Sequence, residues 1–378
     1  MIIGIDVSST AYGTGVSNYT LNLVRNLLKN DHQNFYKLFY SSLRQPLPKE
    51  ISKLSQYKNV QIFYFRLPPT LLAVLWNKIH VLPIELFIGK CDIFHTSDWT
   101  EPPAFKAKTI ATIHDLAPFV NSQWLHPKIV STHRQKMFWA AKKCHHFICV
   151  SDNTRRDLLK YFPKINPSIC TVIYEAAEDK YGEFLKLSPG VQKHKISSIE
   201  KQYGLKRFIL SQGTREPRKN LTNLISAFNL YRKNNSHSKV ELAITGKYGW
   251  GKDVLHLKNP YIKILGYIPE KDMVALHASA LFLAYPSRYE GFGLPLIKSM
   301  KVGVPVLSSN TSSMPEVVGD SGILVNPNSI DEIYQGIQKL LSSATLRKQL
   351  SQKAIKNSAK FSWKQTALNT LNIYSKLK

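Results

Sequence analysis

The chain has no D-x-D pair, no H-E-x-x-H, no G-x-S-x-G, no P-loop, and no G-x-G-x-x-G followed by a ribose-binding acid. A metal-clamped diphosphate is therefore not indicated, and metalloprotease, serine-hydrolase and dehydrogenase readings lose their usual signatures. Cysteine is scarce. Cys91, Cys144, Cys149 and Cys170 make no C-x-x-C pair and lack metal-finger spacing, so buried or idle thiols in a reducing compartment are expected. Acid is scarce too: 25 Asp and Glu face 51 Lys and Arg, a formal net charge of +26. Long apolar runs are missing. The most apolar stretch, residues 67–89, is interrupted by Asn77, Lys78, His80, Pro83 and Glu85, which argues against a membrane-spanning helix. The N-terminus enters the apolar IIGIDVS without a charged n-region, so no signal peptide is expected. These features lead to an expected cytoplasmic location, with peripheral attachment to the inner face of the cell membrane as a further option.

What is present is a chain of 378 residues, 43% hydrophobic and 20% charged, long enough for two domains with substantial cores. The basic excess thickens locally. Residues 101–164 carry eleven basic and four acidic side chains, and the last 28 residues carry six lysines and no acid. Such a balance favours anionic partners: an anionic membrane surface, nucleic acid or phosphorylated substrates. A lysine-rich codon bias would produce the same count. No nucleic-acid recognition motif accompanies the charge, so no nucleic-acid partner is expected.

Short apolar runs alternate with amphipathic segments, the pattern of parallel sheets covered by helices. In the first half MIIGID, NVQIFYF, DIFHTS, KTIATIH and HFICVS read as strands; in the second, FILSQG, VELAITG, IKILGYI, LFLAYPS and VPVLSSN. The fold class is α/β, two doubly wound Rossmann-like domains. Residues 1–186 form the first and 201–360 the second, joined by a polar linker at 187–200 containing a Pro-Gly turn. Tandem domains of this kind bind ligands at the carboxyl ends of their strands, in the cleft between them.

Four segments fall at such strand-to-helix turns. In Glu290-Gly-Phe-Gly-Leu-Pro295, a strand runs into a loop and Pro295 suits the first helical position. Backbone N–H groups near Gly293 and Leu294 are then free for an anion or sugar hydroxyls, and Glu290 can accept from hydroxyls. A tight turn with a solvated Glu is the plainer alternative. In Gly213-Thr-Arg-Glu-Pro-Arg218-Lys219-Asn220, two adjacent cations stand at a helix start, where the helix dipole disfavours them by about 0.3–1 kcal/mol each. A phosphate ligand reverses that sign. Gly13-Thr14-Gly15 lets backbone approach a ligand closely, or serves as a plain helix entry. His114 ends a strand, as does His95; each can serve chemistry or merely finish the strand.

In order and spacing the chain resembles retaining glycosyltransferases of family 4, with the two-domain GT-B fold, and most of all the mannosyltransferases of bacterial O-antigen and exopolysaccharide assembly. GTGVSNYT, DIFHTSDWTEPP, TIHDLAPF, FICVSDNTRRDL, QGTREPRKNL, ITGKYGW, ILGYIP, YPSRYEGFGLPL, SSNTSSMPEVVGDSG and FSWKQTA carry the likeness nearly end to end. The resemblance implies a nucleotide diphosphate-sugar donor, GDP-mannose first and UDP-hexose second, with no cofactor and no metal. Arg218 and Lys219 would hold the diphosphate with Gly13 and Gly15. Glu290, first of an E-x7-E pair, would face the donor sugar beside the backbone of Phe292, Gly293 and Leu294. His114 would line the reaction centre from the other domain, and Tyr267 and Ile268 would border the base. A closing helix, 361–378, would return to the first domain, and the acceptor would be a glycan or lipid-linked glycan.

One position departs from the pattern: Lys298 stands where the pair's second Glu, an acceptor for the ribose, is expected. Glu accepts only when ionised and Lys donates only. Lys298 would donate to a ribose oxygen or reach a phosphate; or it would point to solvent; or donor binding has been lost, leaving a non-catalytic protein that binds a glycan or protein partner.

Overall fold

The computed structural model describes residues 1–96, 99–251 and 259–378; Ser97 and Asp98 of the DIFHTSDWTEPP motif lie outside them. The chain divides into two compact units, Met1–Glu175 with Ser362–Lys378, and Ala176–Phe361.

The first unit is built on a seven-stranded parallel sheet of β1 (Ile2–Asp6), β2 (Phe35–Ser41), β3 (Val60–Phe65), β4 (Ile93–Thr96), β5 (Lys108–Ile113), β6 (His146–Cys149) and β7 (Cys170–Val172), in the order β3-β2-β1-β4-β5-β6-β7. Its strands read as near-continuous apolar runs because both faces are covered. One apolar cluster gathers Phe39, Trp76, Ile84 and Phe94, another Ala111, Met137, Phe147 and Leu158. The helix Gly15–Asn30 buries Leu23, Val24, Leu27 and Leu28, and Thr14 and Ser17 close a capping box at its start. The closing helix Trp363–Lys376 belongs to this unit. Its Tyr374 hydroxyl lies 2.6 Å from His95 Nδ1, and His95 Nε2 lies 2.7 Å from Thr112 Oγ1. His95 is thus a buried, doubly bonded structural residue.

The second unit carries a six-stranded parallel sheet of β8 (Phe208–Gln212), β9 (Glu241–Thr245), β10 (Ile262–Gly266), β11 (Leu283–Tyr285), β12 (Val306–Ser309) and β13 (Gly322–Val325), in the order β10-β9-β8-β11-β12-β13. Phe228, Leu242, Phe282, Leu307 and Ile337 centre its core. In each sheet the strand order reverses beside the first strand, between β1 and β4 and between β8 and β11. Ligands of open α/β sheets bind at such a switch point, outside the carboxyl ends of the strands.

Two expectations are corrected. The division between units falls after Glu175, not near 186. Residues 187–200 are not a linker, because Pro189–Tyr203 is a helix of the second unit. Its Pro stands in the first turn and Gly204, at φ 62°, closes it; the Pro-Gly pair marks a helix start rather than a turn. Strands β2, β7 and β13 add to those expected from sequence. Within the described residues no helix is long and apolar enough to cross a membrane.

Candidate active site

The carboxyl ends of β8 and β11 lie side by side, and the loops that follow them bring three of the expected residues together. Lys219 Nζ is 2.7 Å from Glu290 Oε1, and Arg218 Nη1 is 2.8 Å from Glu290 Oε2. Arg218 also donates from Nη1 to the Tyr289 carbonyl at 3.2 Å, and Lys219 donates to the Tyr285 hydroxyl at 2.8 Å. Asn220 explains how the loop is held. It adopts φ 60°, is buried, and donates from its side chain to the carbonyls of Pro286 and Pro327. The amide of Arg288 reaches back to the Arg218 carbonyl at 2.8 Å, so the two loops form one rigid seat.

Sequence reasoning placed two unneutralised cations here. The structure corrects this to a four-residue ion cluster. Glu216, itself buried, lies 2.6 Å from Arg218 Nε, so two cations meet two carboxylates. The signal was present in T-R-E-P-R-K, where the acid two residues before Arg218 was passed over. Burial works against the Glu290 anion, but Lys219 and Arg218 outweigh it and hold its pKa down to about 2. Burial, with Arg218 beside it, lowers the Lys219 pKa, and Glu290 and Glu216 oppose that.

Gly293, at φ 102°, caps the helix Leu294–Lys301. Ser313 donates to the carbonyls of Glu290 and Phe292, at 3.0 Å each, and Ser312 to the Glu290 carbonyl at 2.6 Å. Both serines, absent from the expected site, lock the backbone of the EGFGLP loop. The Phe292 ring is buried edge-on against Phe361, so only its backbone remains for a ligand. Gly213 and Gly246 let the loops after β8 and β9 touch: a Cβ on Gly246 would come 1.9 Å from the Gly213 carbonyl oxygen. At the end of β10, Tyr267 is 64% exposed with Lys247 Nζ 4.9 Å from its ring centre, while Ile268 is buried.

Lys298 does not join the Arg218–Glu290 cluster, nor does it point to solvent. Its side chain is buried, with the ammonium 3.4 Å from Glu270 Oε1, 3.5 Å from Glu178 Oε2 and 5.1 Å from the Tyr181 ring centre. Lys180 meets the same Glu270 oxygen at 2.8 Å. Burial opposes ionisation of Glu270, but Lys298 and Lys180 prevail and lower its pKa. The carboxylates account for the buried lysine: an ammonium out of water needs paired acceptors.

In the first unit, Gly13 takes φ 65° and Gly15 enters the helix, both with open space where a Cβ would stand. His114, just past β5, sets Nδ1 3.1 Å from Glu175 Oε1. An ionised carboxylate only accepts, so Nδ1 carries a proton in this contact. No protein group among the described residues bonds the ring's Nε2. Tyr19 packs against the ring edge-on at 4.6 Å.

The family model described as glycosyltransferase family 4 matches residues 13–179, and that for glycosyl transferases group 1 matches residues 192–357. The chain thus carries a glycosyltransferase family 4 domain followed by a glycosyl transferases group 1 domain. The O-antigen chain mannosyltransferase B of Escherichia coli is 29% identical over 383 residues, covering 96% of each chain. Among solved structures, sucrose-phosphate synthase from Thermosynechococcus elongatus superposes with a TM-score of 0.76 at 16% identity, covering 100% of this chain and 99% of that one. HepE from Anabaena, in complex with UDP-glucose, gives 0.72 at 17% identity, covering 100% of each. The fold is GT-B, and the enzyme is a glycosyltransferase.

Proposed function

We propose that this glycosyltransferase moves a hexose, mannose in the first instance, from a nucleotide diphosphate-sugar to a hydroxyl of a glycan or lipid-linked glycan in surface polysaccharide synthesis. Transfer proceeds with retention at the anomeric carbon and needs no metal ion or cofactor. The observation that carries the reading is Glu290 gripped by both Arg218 and Lys219 where β8 and β11 end. The mannosyltransferase relative supports the sugar, and the UDP-glucose complex of HepE supports the donor class.

In this reading the leaving diphosphate, whose negative charge grows as the glycosidic bond breaks, rests against Arg218 and Lys219. Arg218 and Lys219 stabilise it together with the N–H groups opening the helix Leu294–Lys301. Glu216 and Glu290 hold the cations in place beforehand, so little reorganisation is needed at the moment of reaction. Glu290 orients the donor sugar and is not the nucleophile. A membrane-borne acceptor fits the basic first unit, and peripheral attachment to an anionic bilayer follows from it.

The test is a mass-spectrometric donor screen of GDP-mannose against UDP-hexoses with a polyprenyl-diphosphate-sugar acceptor, with chelator added and product anomers assigned by NMR. Transfer from GDP-mannose that survives chelation and retains configuration is expected. The non-catalytic reading draws on Lys298 alone. It prevails if neither GDP nor UDP shifts the melting temperature and Lys298→Glu restores no shift.

A further inference from the structure

The first unit carries an apolar surface that its own core does not use. Leu71, Val74, Ile79, Val81, Leu82 and Leu86 stand exposed along residues 71–86, although the segment is anchored from beneath. Trp76 is buried and donates to the Leu82 carbonyl at 2.9 Å, and Asn77 donates to the Trp99 carbonyl at 2.7 Å. His80 and Leu82 both adopt positive φ, 59° and 62°, a conformation that side chains other than glycine rarely take without a compensating role.

Two neighbouring segments extend the same face. Glu85 accepts from the backbone N–H groups of Phe105, Lys106 and Ala107, which brings Phe105, 68% exposed, beside Leu86, 62% exposed. His80 stacks on Trp139 at 3.9 Å, and Trp139 donates to the Asn77 carbonyl at 2.8 Å, which brings exposed Phe138 alongside. Lysines stand around the described part of this face. Lys78, Lys106, Lys142 and Lys143 are exposed, with Lys142 Nζ 3.8 Å from the Phe138 ring centre. Two acids of these segments are already engaged: half-buried Glu85 by those three amides, and buried Glu101 by Thr96 and Cys144.

We propose that this face is a membrane-docking surface, its leucines, isoleucine and phenylalanines entering the interfacial layer of an anionic bilayer while the lysines meet lipid phosphates. The proposal deepens the membrane-borne acceptor reading above and rests on it. Charge selects the occupant. A second copy docked by the same face would set lysines against lysines across a two-fold axis, whereas anionic headgroups complement them and the acyl boundary takes the apolar tips. A nucleic acid would satisfy the lysines and leave the leucines unpaired.

Co-sedimentation of the full chain with phosphatidylcholine vesicles, with and without phosphatidylglycerol, tests this. Binding is expected only with phosphatidylglycerol and should weaken as salt rises. Leu86→Ser with Phe105→Ser should cut partitioning about tenfold or more at every salt concentration. Lys106→Ala with Lys142→Ala should cost about fivefold per lysine and flatten the salt dependence. All four side chains are exposed, and thermal melting verifies that each variant is folded. The proposal is overturned if the wild type ignores anionic vesicles, if neither pair of substitutions changes binding, or if light scattering finds a dimer that Leu86→Ser with Phe105→Ser dissociates without lipid. The melting shift caused by GDP or UDP, read on the same preparations, reports separately on the donor site. Vesicle binding without a nucleotide shift supports this face while counting against the donor reading.

Discussion

Each unit sets a glutamate near the carboxyl ends of its strands, and the two glutamates are used differently. Glu290 is clamped between a guanidinium and an ammonium, so its anion is fixed and the seat around it is ionic. Glu175 meets one imidazole, that of His114, whose Nε2 no protein group among the described residues bonds. The first arrangement joins two cations to one carboxylate; the second leaves that ring nitrogen without a protein partner among the described residues. The same doubly wound architecture thus supports different ion-pair arrangements, because the loops carry these side chains and the sheets only position them.

The sharpest way to break this contrast is Arg218→Ala. It should lower kcat/KM for the nucleotide-sugar by about a thousandfold, measured in steady-state transfer assays; a loss below tenfold would mean that the ionic seat does not serve the leaving group. Next comes the pH dependence of stability. The folded pKa of Glu290, about 2, lies below its unfolded value. The stabilisation from its ionisation, about 3 kcal/mol, is therefore complete above pH about 4.5 and is lost as the pH falls towards 2. Urea unfolding of the wild type and Glu290→Gln across that window should show their difference shrinking with acid; a constant difference contradicts the ion cluster.

His114→Ala should reduce kcat by about a hundredfold while leaving the GDP-induced melting shift intact, which separates the two units by readout. Glycines give the smallest effects and still distinguish the units. Gly246→Ala should cost about 2–3 kcal/mol, since its Cβ meets the Gly213 carbonyl and its φ is 127°. Gly13→Ala, at φ 65° with open space around it, should cost only about 1 kcal/mol in the same denaturation experiment.

Much of this was legible in the sequence. Ten strands announced themselves as apolar runs. Arg218 and Lys219 stood out because cations at a helix start oppose its dipole, and Glu290 because it leads into the loop before a helix. The missed strands have local causes. β13 opens on Gly322, β7 holds Thr171 at its centre, and β2 carries Lys37 within an aromatic run. Residues 187–200 misled because a helix with a weak apolar stripe reads as polar linker.

Sequence by itself determined the alternation of strand and helix, the basic balance, and which loops follow strands into helices, because periodicity and turn residues act over a few neighbours. Tertiary structure alone decided which charges meet. Glu216 and Glu290 neutralise Arg218 and Lys219, and Glu178 and Glu270 receive Lys298. An ion pair falls off with distance in space and takes no account of distance along the chain, so only the folded sheet could assign these partners.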